Sequence, residues 1–300
     1  MDQLEGILAV NKPADWTSHD VVAKVRRLLK MKRIGHTGTL DPAVTGVLPL
    51  ALGRATRYIE YLQEMPKEYE AEMIVGFATD TEDLSGEVIE QAEEVILSRE
   101  QVERVIEGFI GEIKQVPPMY SAVRVAGRRL YELAREGVEV ERPVRTVQIH
   151  RIQLEAVHLE EKYPRMKLRV LCSKGTYIRT LCKDIGRALG YPAVMSKLVR
   201  TLSCGIPLDR CWTIEEITEQ LEEGTLHARI VPVDQVLTNL PELQIDETTA
   251  KRLLQGQRVK RAAGSSPAQG LVRVYDPNQR FVGICKLQRH LIVPHKMNHT

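Results

Sequence analysis

Gly35-His36-Thr37-Gly38-Thr39-Leu40-Asp41-Pro42, continuing as Ala43-Val44-Thr45-Gly46-Val47-Leu48-Pro49-Leu50, is the most unusual stretch of this 300-residue chain. Three glycines and a proline within a dozen residues demand a defined irregular backbone, since glycine opens left-handed φ and proline fixes its own. The segment lacks G-K-[ST], so it is no phosphate-binding P-loop, and it does not fit G-x-G-x-x-G. What it offers is one carboxylate, Asp41, next to a rigid proline and among apolar neighbours. An Asp so placed serves as a nucleophile or an acid/base. Equally, Asp41-Pro42 could simply initiate a turn. Spacing alone does not separate the two.

Upstream lie Lys24, Arg26, Arg27, Lys30, Lys32 and Arg33, with no acid between Val21 and Leu40. Thr17-Ser18-His19-Asp20 precedes an apolar stripe of Val21, Val25, Leu28 and Leu29 at helical spacing, a pattern that predicts an N-capped helix. Downstream, Tyr69, Ala71, Met73, Val75 and Phe77 alternate with Glu70, Glu72, Ile74 and Gly76, which predicts a half-buried strand. Ser98-x-x-Gln101 and Thr213-x-x-Glu216 read as capping boxes. Val147, Ile149, Ile152 and Leu154 predict a strand with a bulge where the alternation slips. Lys167 to Cys172 predicts a strand feeding a helix with Ile178, Leu181, Cys182, Ile185 and Leu189, stopped near Gly190. The expected class is α/β (α+β), built on a mixed or antiparallel sheet with flanking helices.

A boundary is expected near residue 240, giving units 1–240 and 241–300. The second reads as a small β-rich module: a short helix from Asp246 to Leu254, then Leu271 to Tyr275, an Asp276-Pro277-Asn278 turn, and Phe281 to Leu287. The whole chain has 42 Lys plus Arg against 40 Asp plus Glu, a net charge of only +2. That balance hides segregation. Residues 251–300 hold ten Lys/Arg and one Asp/Glu, so this segment carries +9 and the other 250 residues carry −7. A basic module of this kind predicts polyanion binding by phosphate neutralisation.

Composition excludes other classes. No apolar run approaches the ~18 residues of a membrane span, and Met1-Asp2-Gln3-Leu4-Glu5 shows no secretory leader. The five cysteines are odd in number and form no C-x-x-C pair, so a disulfide scaffold or zinc knuckle is not expected and a cytoplasmic setting fits. Metalloprotease, zinc-deaminase and serine-hydrolase motifs are all missing. An enzyme of this sequence is expected to work without a metal or other cofactor, on a carboxylate, a tyrosine or a cation.

The Gly35–Pro42 segment, with Thr45-Gly46-Val47-Leu48-Pro49, closely resembles the signature of the bacterial TruB-type tRNA pseudouridine synthases. The likeness extends through Asn11-Lys12-Pro13 with Trp16-Thr17-Ser18, through Lys67-Glu68-Tyr69, and through Pro117-Pro118-Met119-Tyr120-Ser121-Ala122 with Gly127, Tyr131 and Ala134-Arg135. Ser173-Lys174-Gly175-Thr176-Tyr177-Ile178-Arg179 and Leu198-Val199-Arg200-Thr201 complete it, covering about residues 5–205. Ala43-Val44 departs from the family's more usual Leu-Ala. Residues 241–300 are similar, less strongly, to the family's PUA-like RNA-binding domain.

The resemblance implies the pseudouridine synthase fold and a cofactor-free isomerisation of a T-loop uridine of tRNA, numbered 55 by tRNA convention. The base flips out, the N1–C1′ bond breaks, uracil turns, and a C5–C1′ bond forms. By resemblance Asp41 is the catalytic carboxylate, Tyr69 stacks on uracil near the departing C5 proton, and Arg179 pairs with and orients Asp41. Leu198 would pack on the base, His36 would contact the T loop, and Lys12 and Tyr120 would belong to the pocket region. Lys24, Arg27 and Lys32 are expected on RNA phosphates. The implied partner is the tRNA T-stem-loop, bound by a monomer with no guide RNA, protein partner or membrane. Three rivals remain: a non-catalytic RNA binder, a guide-dependent synthase, and a metal-free glycosidase, the last without an evident second carboxylate.

Overall fold

A computed structural model describes residues 4–261 and 269–299. The expectations on Met1–Gln3 and on 262–268 lie outside the described residues. The chain opens with strand β1 (Gly6–Lys12), helix α1 (Ser18–Leu29), β2 (Ile34–His36), β3 (Thr45–Leu52), α2 (Ile59–Gln63) and β4 (Lys67–Val75). A hairpin β5 (Phe77–Thr79) and β6 (Val88–Gln91), helix α3 (Arg99–Glu107) and β7 (Gly111–Gln115) follow. A small excursion carries β8 (Arg124–Val125), β9 (Arg128–Arg129) and α4 (Leu130–Arg135). Next come β10 (Arg145–His158), β11 (Arg165–Cys172), α5 (Ile178–Leu189), β12 (Ala193–Ser203), β13 (Ile206–Pro207), α6 (Ile214–Glu222) and α7 (Val233–Val236). The C-terminal part holds β14 (Glu242–Gln244), α8 (Glu247–Leu254), β15 (Val259–Lys260), β16 (Gly270–Tyr275), β17 (Phe281–Gln288) and β18 (Leu291–Met297).

Nine strands form the main sheet in the order β1-β3-β12-β4-β11-β10-β7, with β2 beside β3 and β13 beside β12. All pairs are antiparallel except β3 with β12. This is the mixed sheet with flanking helices that the sequence predicts. β1 and β3 are apolar on both faces because both are covered. Ile7, Ala9 and Ala51 pack with Tyr58 and Leu62, while Leu8, Val10, Leu48 and Leu50 pack with Val21, Val22 and Val25 of α1.

β4 and β11 are covered on one face only, hence their alternation. Tyr69, Ala71, Met73, Leu168 and Val170 face Ile178, Leu181 and Ile185 of α5. Their outer face carries cross-strand ion pairs, with Arg169 reaching Glu68, Glu70 and Glu155, and Lys167 reaching Glu70. Pairs at such exposure are worth ~1 kcal/mol or less each, so burial against α5 dominates the holding of these strands.

The local signals act as read. Thr17 and Asp20 cap α1 reciprocally, as Ser98 with Gln101 cap α3 and Thr213 with Glu216 cap α6. α5 ends at Gly190 in the left-handed conformation, and β10 shifts register after Ile149 and again after Leu154. The five cysteines are unbridged.

After residue 240 the described residues build a five-stranded sheet, β14-β16-β17-β18-β15, within the β-rich module expected there. It packs directly on the larger body. Ile284 sits in one cluster with Tyr58, Leu62 and Val236. Arg273 is buried, donating to the Leu240 and Asp234 carbonyls and to Glu242. Lys296 pairs with Glu60, and Lys251 with Glu247. Some of the expected phosphate-binding charge is therefore committed within the protein.

Candidate active site

The Asp41 loop leaves β2, crosses the end of the sheet and returns as β3, and almost every residue in it is held. Thr37 N–H donates to the Pro49 carbonyl. Leu40 N–H donates to Ser18 Oγ at the start of α1 at 2.9 Å, and Val44 N–H closes a turn on the Asp41 carbonyl at 3.0 Å. The Pro42 carbonyl accepts from Asp15 N–H and from Lys12 Nζ. Gly46 lies at φ 105°, and a Cβ there would stand 2.3 Å from the Arg200 carbonyl. Only glycine lets β3 approach β12 this closely.

The Asp41-Pro42 dipeptide does make a turn, and that turn presents the carboxylate to the cavity. Its neighbourhood differs from the apolar one expected. The Asp41 side chain is 47% exposed, opening onto a cavity, and its partner is ionic.

Arg179 supplies that partner. α5 begins at Ile178 without a side-chain cap, so Arg179 stands in its first turn, where the helix meets the cavity. Its Nη2 reaches Asp41 Oδ2 at 2.9 Å and donates to the Tyr120 carbonyl at 2.8 Å. Nη1 donates to the Thr81 carbonyl at 2.9 Å, and Nε lies 3.9 Å from Asp83 Oδ2. The planar guanidinium thus fixes the carboxylate against two other segments of chain, at Thr81–Asp83 and at Tyr120. Asp83 is not among the residues the sequence points to. It is held by Thr81 Oγ1 in turn, and no local pattern marks it.

The cavity, about 360 Å³, lies between this ion pair and the β4–β12 face. Tyr69 lies opposite Arg200 in the ladder, and Leu198 lies opposite Ala71. Tyr69 and Leu198 both line the cavity with Asp41 and Arg179. Tyr69 is buried in the core cluster as well, so its packing role and its cavity role coincide. Burial pushes its phenol pKa up, and the nearby Arg200 guanidinium opposes this. Across the rim, Lys174 pairs with Glu64. Lys67 and Arg200 also line the cavity; both stand in the family-like motifs without an expected role. Their signal is the alternation itself: Lys67 shares a strand face with Tyr69, and Arg200 shares one with Leu198.

Two expected pocket residues are placed otherwise. Lys12 is fully buried, and its Nζ donates to the Pro13, Trp16 and Pro42 carbonyls at 2.8, 2.5 and 2.9 Å. It braces the Asp41 loop through the Pro42 carbonyl and is not among the residues lining the cavity. Burial lowers its pKa, while Asp15, Asp41 and Asp20 act oppositely. Tyr120 contributes its carbonyl to Arg179, and Ser121 and Ala122, not Tyr120, line the cavity.

His36 ends β2 outside the lining, its ring edge-on to His19 with centroids 5.3 Å apart. Its Nδ1 is buried without a hydrogen-bond partner, and burial, then His19, lower its pKa. Lys24 is half-buried, and Arg27 and Lys32 are exposed. Adjacent in sequence to the Asp41 loop, this basic run is carried away from it by α1, which starts at the loop and extends about 18 Å. Arg26 and Arg33 donate to the Ile34 carbonyl and Thr56 Oγ1.

Residues 26–178 match the TruB family pseudouridylate synthase N-terminal domain, 179–238 the tRNA pseudouridylate synthase B C-terminal domain, and 241–297 the pseudouridine synthase II TruB C-terminal domain. The chain is 45% identical over 301 residues to a protein named tRNA pseudouridine synthase B from Bacillus licheniformis, covering 96% of this chain and 97% of that one. A protein of the same name from Geobacillus thermodenitrificans is 44% identical, covering 94% of each. Among solved structures, a chain of an H/ACA RNP bound to a substrate RNA containing 2′-deoxyuridine superposes with TM-score 0.74 at 25% identity, over 98% of this chain and 85% of that chain. A chain of a Cbf5-Nop10-Gar1 complex gives 0.74 at 26% identity, with the same coverage.

Proposed function

The chain belongs to the TruB family of pseudouridylate synthases, and we propose that its cavity isomerises the T-loop uridine numbered 55 in tRNA, with Asp41, Tyr69 and Arg179 as the reacting centre. It has the pseudouridine synthase fold and is an isomerase that converts a tRNA uridine to pseudouridine.

One observation carries the assignment of roles: the 2.9 Å Asp41–Arg179 pair opens onto the same small cavity as Tyr69 and Leu198. A binding module needs no such constellation. About 360 Å³ is room for one extruded base with its sugar, not for a run of stacked bases. Asp41 is the compact oxygen that adds to C1′ or to uracil C6, or takes the C2′ proton. Arg179 holds it at one angle. Tyr69 and Leu198 clamp the uracil plane while it turns. The reaction conserves all atoms of the nucleotide.

Extracting a base from a folded loop costs a few kcal/mol. Lys24, Arg27 and Lys32 and the exposed cations of the C-terminal sheet offset it through phosphate contacts. Residues 241–300 then act as a PUA-like RNA-binding domain beside a catalytic domain of 1–240. The protein works as a cytoplasmic monomer on the T-stem-loop without guide RNA. No helix among the described residues is long and apolar enough to cross a membrane.

The test is pure protein with an unmodified tRNA transcript and no additives. Pseudouridine at position 55, lost in Asp41→Asn while tRNA binding persists, is the expected result. Binding without pseudouridine in the unaltered protein would favour the non-catalytic reading.

A further inference from the structure

The cavity wall made by β4 and β12 carries two cations to which the roles above give no task. Lys67 and Arg200 are 7% and 1% exposed, yet both line the cavity with Tyr69 and Leu198. Lys67 Nζ donates to the Gln63 and Met65 carbonyls, each at 2.7 Å, leaving one ammonium N–H without an acceptor among the described residues. Arg200 Nε donates to the Val47 carbonyl at 2.7 Å and Nη2 to the Gly38 carbonyl at 3.2 Å. Neither forms an ion pair with a carboxylate among the described residues. The cavity's own carboxylate, Asp41, is engaged by Arg179.

Two neighbouring cations in a poorly solvated wall, without a counter-ion, are costly. Scaffolding alone would not call for both charges, since carbonyls are satisfied by neutral donors too. An arrangement of this kind is expected where negative charge develops during a reaction.

We propose that Lys67 and Arg200 form a cationic cradle that takes up the negative charge uracil acquires when its bond to C1′ breaks. The inference rests on the isomerisation proposed above and deepens it. When C1′–N1 cleaves, both electrons stay with the base, which becomes a uracil anion delocalised over N1, O2 and O4. The charge is the same whether C1′ is captured by Asp41 or C2′ loses a proton. Turning the base and forming C5–C1′ consumes that electron pair; the Asp41–C1′ bond breaks in the same step on the capture route, and the proton returns to C2′ on the other. The C5 proton then leaves and N1 is protonated, so the cradle is needed only between the two bond changes. Because the cations flank Tyr69, on which the base stacks, they meet the base and not the RNA backbone.

Burial, reinforced by Arg200, lowers the Lys67 pKa, while Cys204, Cys172 and Glu64 around it act in the opposite sense. Lys67 therefore loses its charge at lower pH than an ordinary lysine. Arginine at the same position would keep its charge at that pH.

Lys67→Gln, Lys67→Arg and the unaltered protein should be compared by single-turnover pseudouridine formation on tRNA between pH 7 and 10, alongside tRNA dissociation constants across a salt series. The expected result is a ~10²-fold slower conversion in Lys67→Gln at saturating tRNA, with affinity unchanged within twofold. Lys67→Arg should recover most of the rate and flatten the alkaline fall seen with lysine. Weaker binding and a shallower salt slope, at an unchanged saturated rate, would place a phosphate on Lys67 and overturn the proposal. Equal slowing in both variants with the alkaline limb unmoved would make Lys67 a scaffold and overturn it too. Should Lys67→Gln fail to fold, the pH profile of Lys67→Arg decides. An inactive unaltered protein would instead defeat the isomerase reading itself.

Discussion

Arg179 and Asp41 meet at 2.9 Å across a step in exposure: the arginine side chain is 6% exposed and the aspartate 47%. The buried partner is the fixed one. Three contacts besides Asp41 hold it, so the carboxylate inherits its position from a guanidinium locked in the protein interior.

Arg179→Lys keeps the charge but loses the planar fork. Saturated turnover is expected to fall about 10²-fold, the scale of a misplacement near 1 Å, with tRNA affinity unaltered. Arg179→Ala additionally leaves the Thr81 and Tyr120 carbonyls unpaired, at about 1–3 kcal/mol each. Urea midpoints and single-turnover rates on the two variants check both parts.

Lys12→Met should act on stability. The Pro13 and Trp16 carbonyls lose their donor, at about 1–3 kcal/mol each, while Pro42 keeps the Asp15 N–H; tRNA affinity measured below the melting range stays within twofold. A large drop in affinity in a fully folded variant would return Lys12 to the substrate side.

His36 predicts an acid-sensitive fold. Its folded-state pKa lies below the ordinary 6.5, chiefly through burial. Between the two values the unfolded chain binds more protons than the folded one, so stability rises with pH there and is lost as pH falls below about 6.5. His36→Asn should flatten that part of the melting-temperature profile. An unchanged slope would assign the acid sensitivity elsewhere.

Lys286 and Arg289 are exposed at the β17–β18 hairpin. Replacing both with Ala should weaken tRNA binding and reduce the magnitude of the salt slope by roughly 0.9 for each phosphate no longer neutralised, with saturated turnover intact. These point changes are preferable to deleting residues 241–300. Deletion would strip Ile284 and Phe281 from their packing with Tyr58 and Val236, and expose apolar surface.

Signals that act over a few residues are legible in the sequence. Thr17 with Asp20, Ser98 with Gln101 and Gly190 mark helix ends because each acts on a backbone only a few residues away. The Tyr69-Ala71-Met73 alternation marks a half-covered strand for the same reason. β1 and β3 are not legible as strands, since runs such as Ile7-Leu8-Ala9-Val10 are buried on both faces and show no period, and the alternation of β12 slips at register shifts after Met195 and after Arg200. Charged residues mislead in both directions. Lys12, expected in the pocket region, is a buried brace, while Lys67 and Arg200 line the cavity although the sequence suggests no task for them. Arg179 and Asp41 stand 138 positions apart in the chain, so their pairing follows from resemblance and could not come from spacing.

The one parallel pairing of the main sheet, β3 with β12, sets a clock on biosynthesis. β12 lies between β3 and β4, which are both made more than a hundred residues earlier. Until Ser203 has left the ribosome, the first strands have a vacant lane between them, and the Asp41 loop has neither Arg179 nor Arg200 to rest on. At ordinary elongation rates that interval is roughly 8–30 s. A nascent chain therefore carries its signature loop for most of its synthesis before it holds an active site.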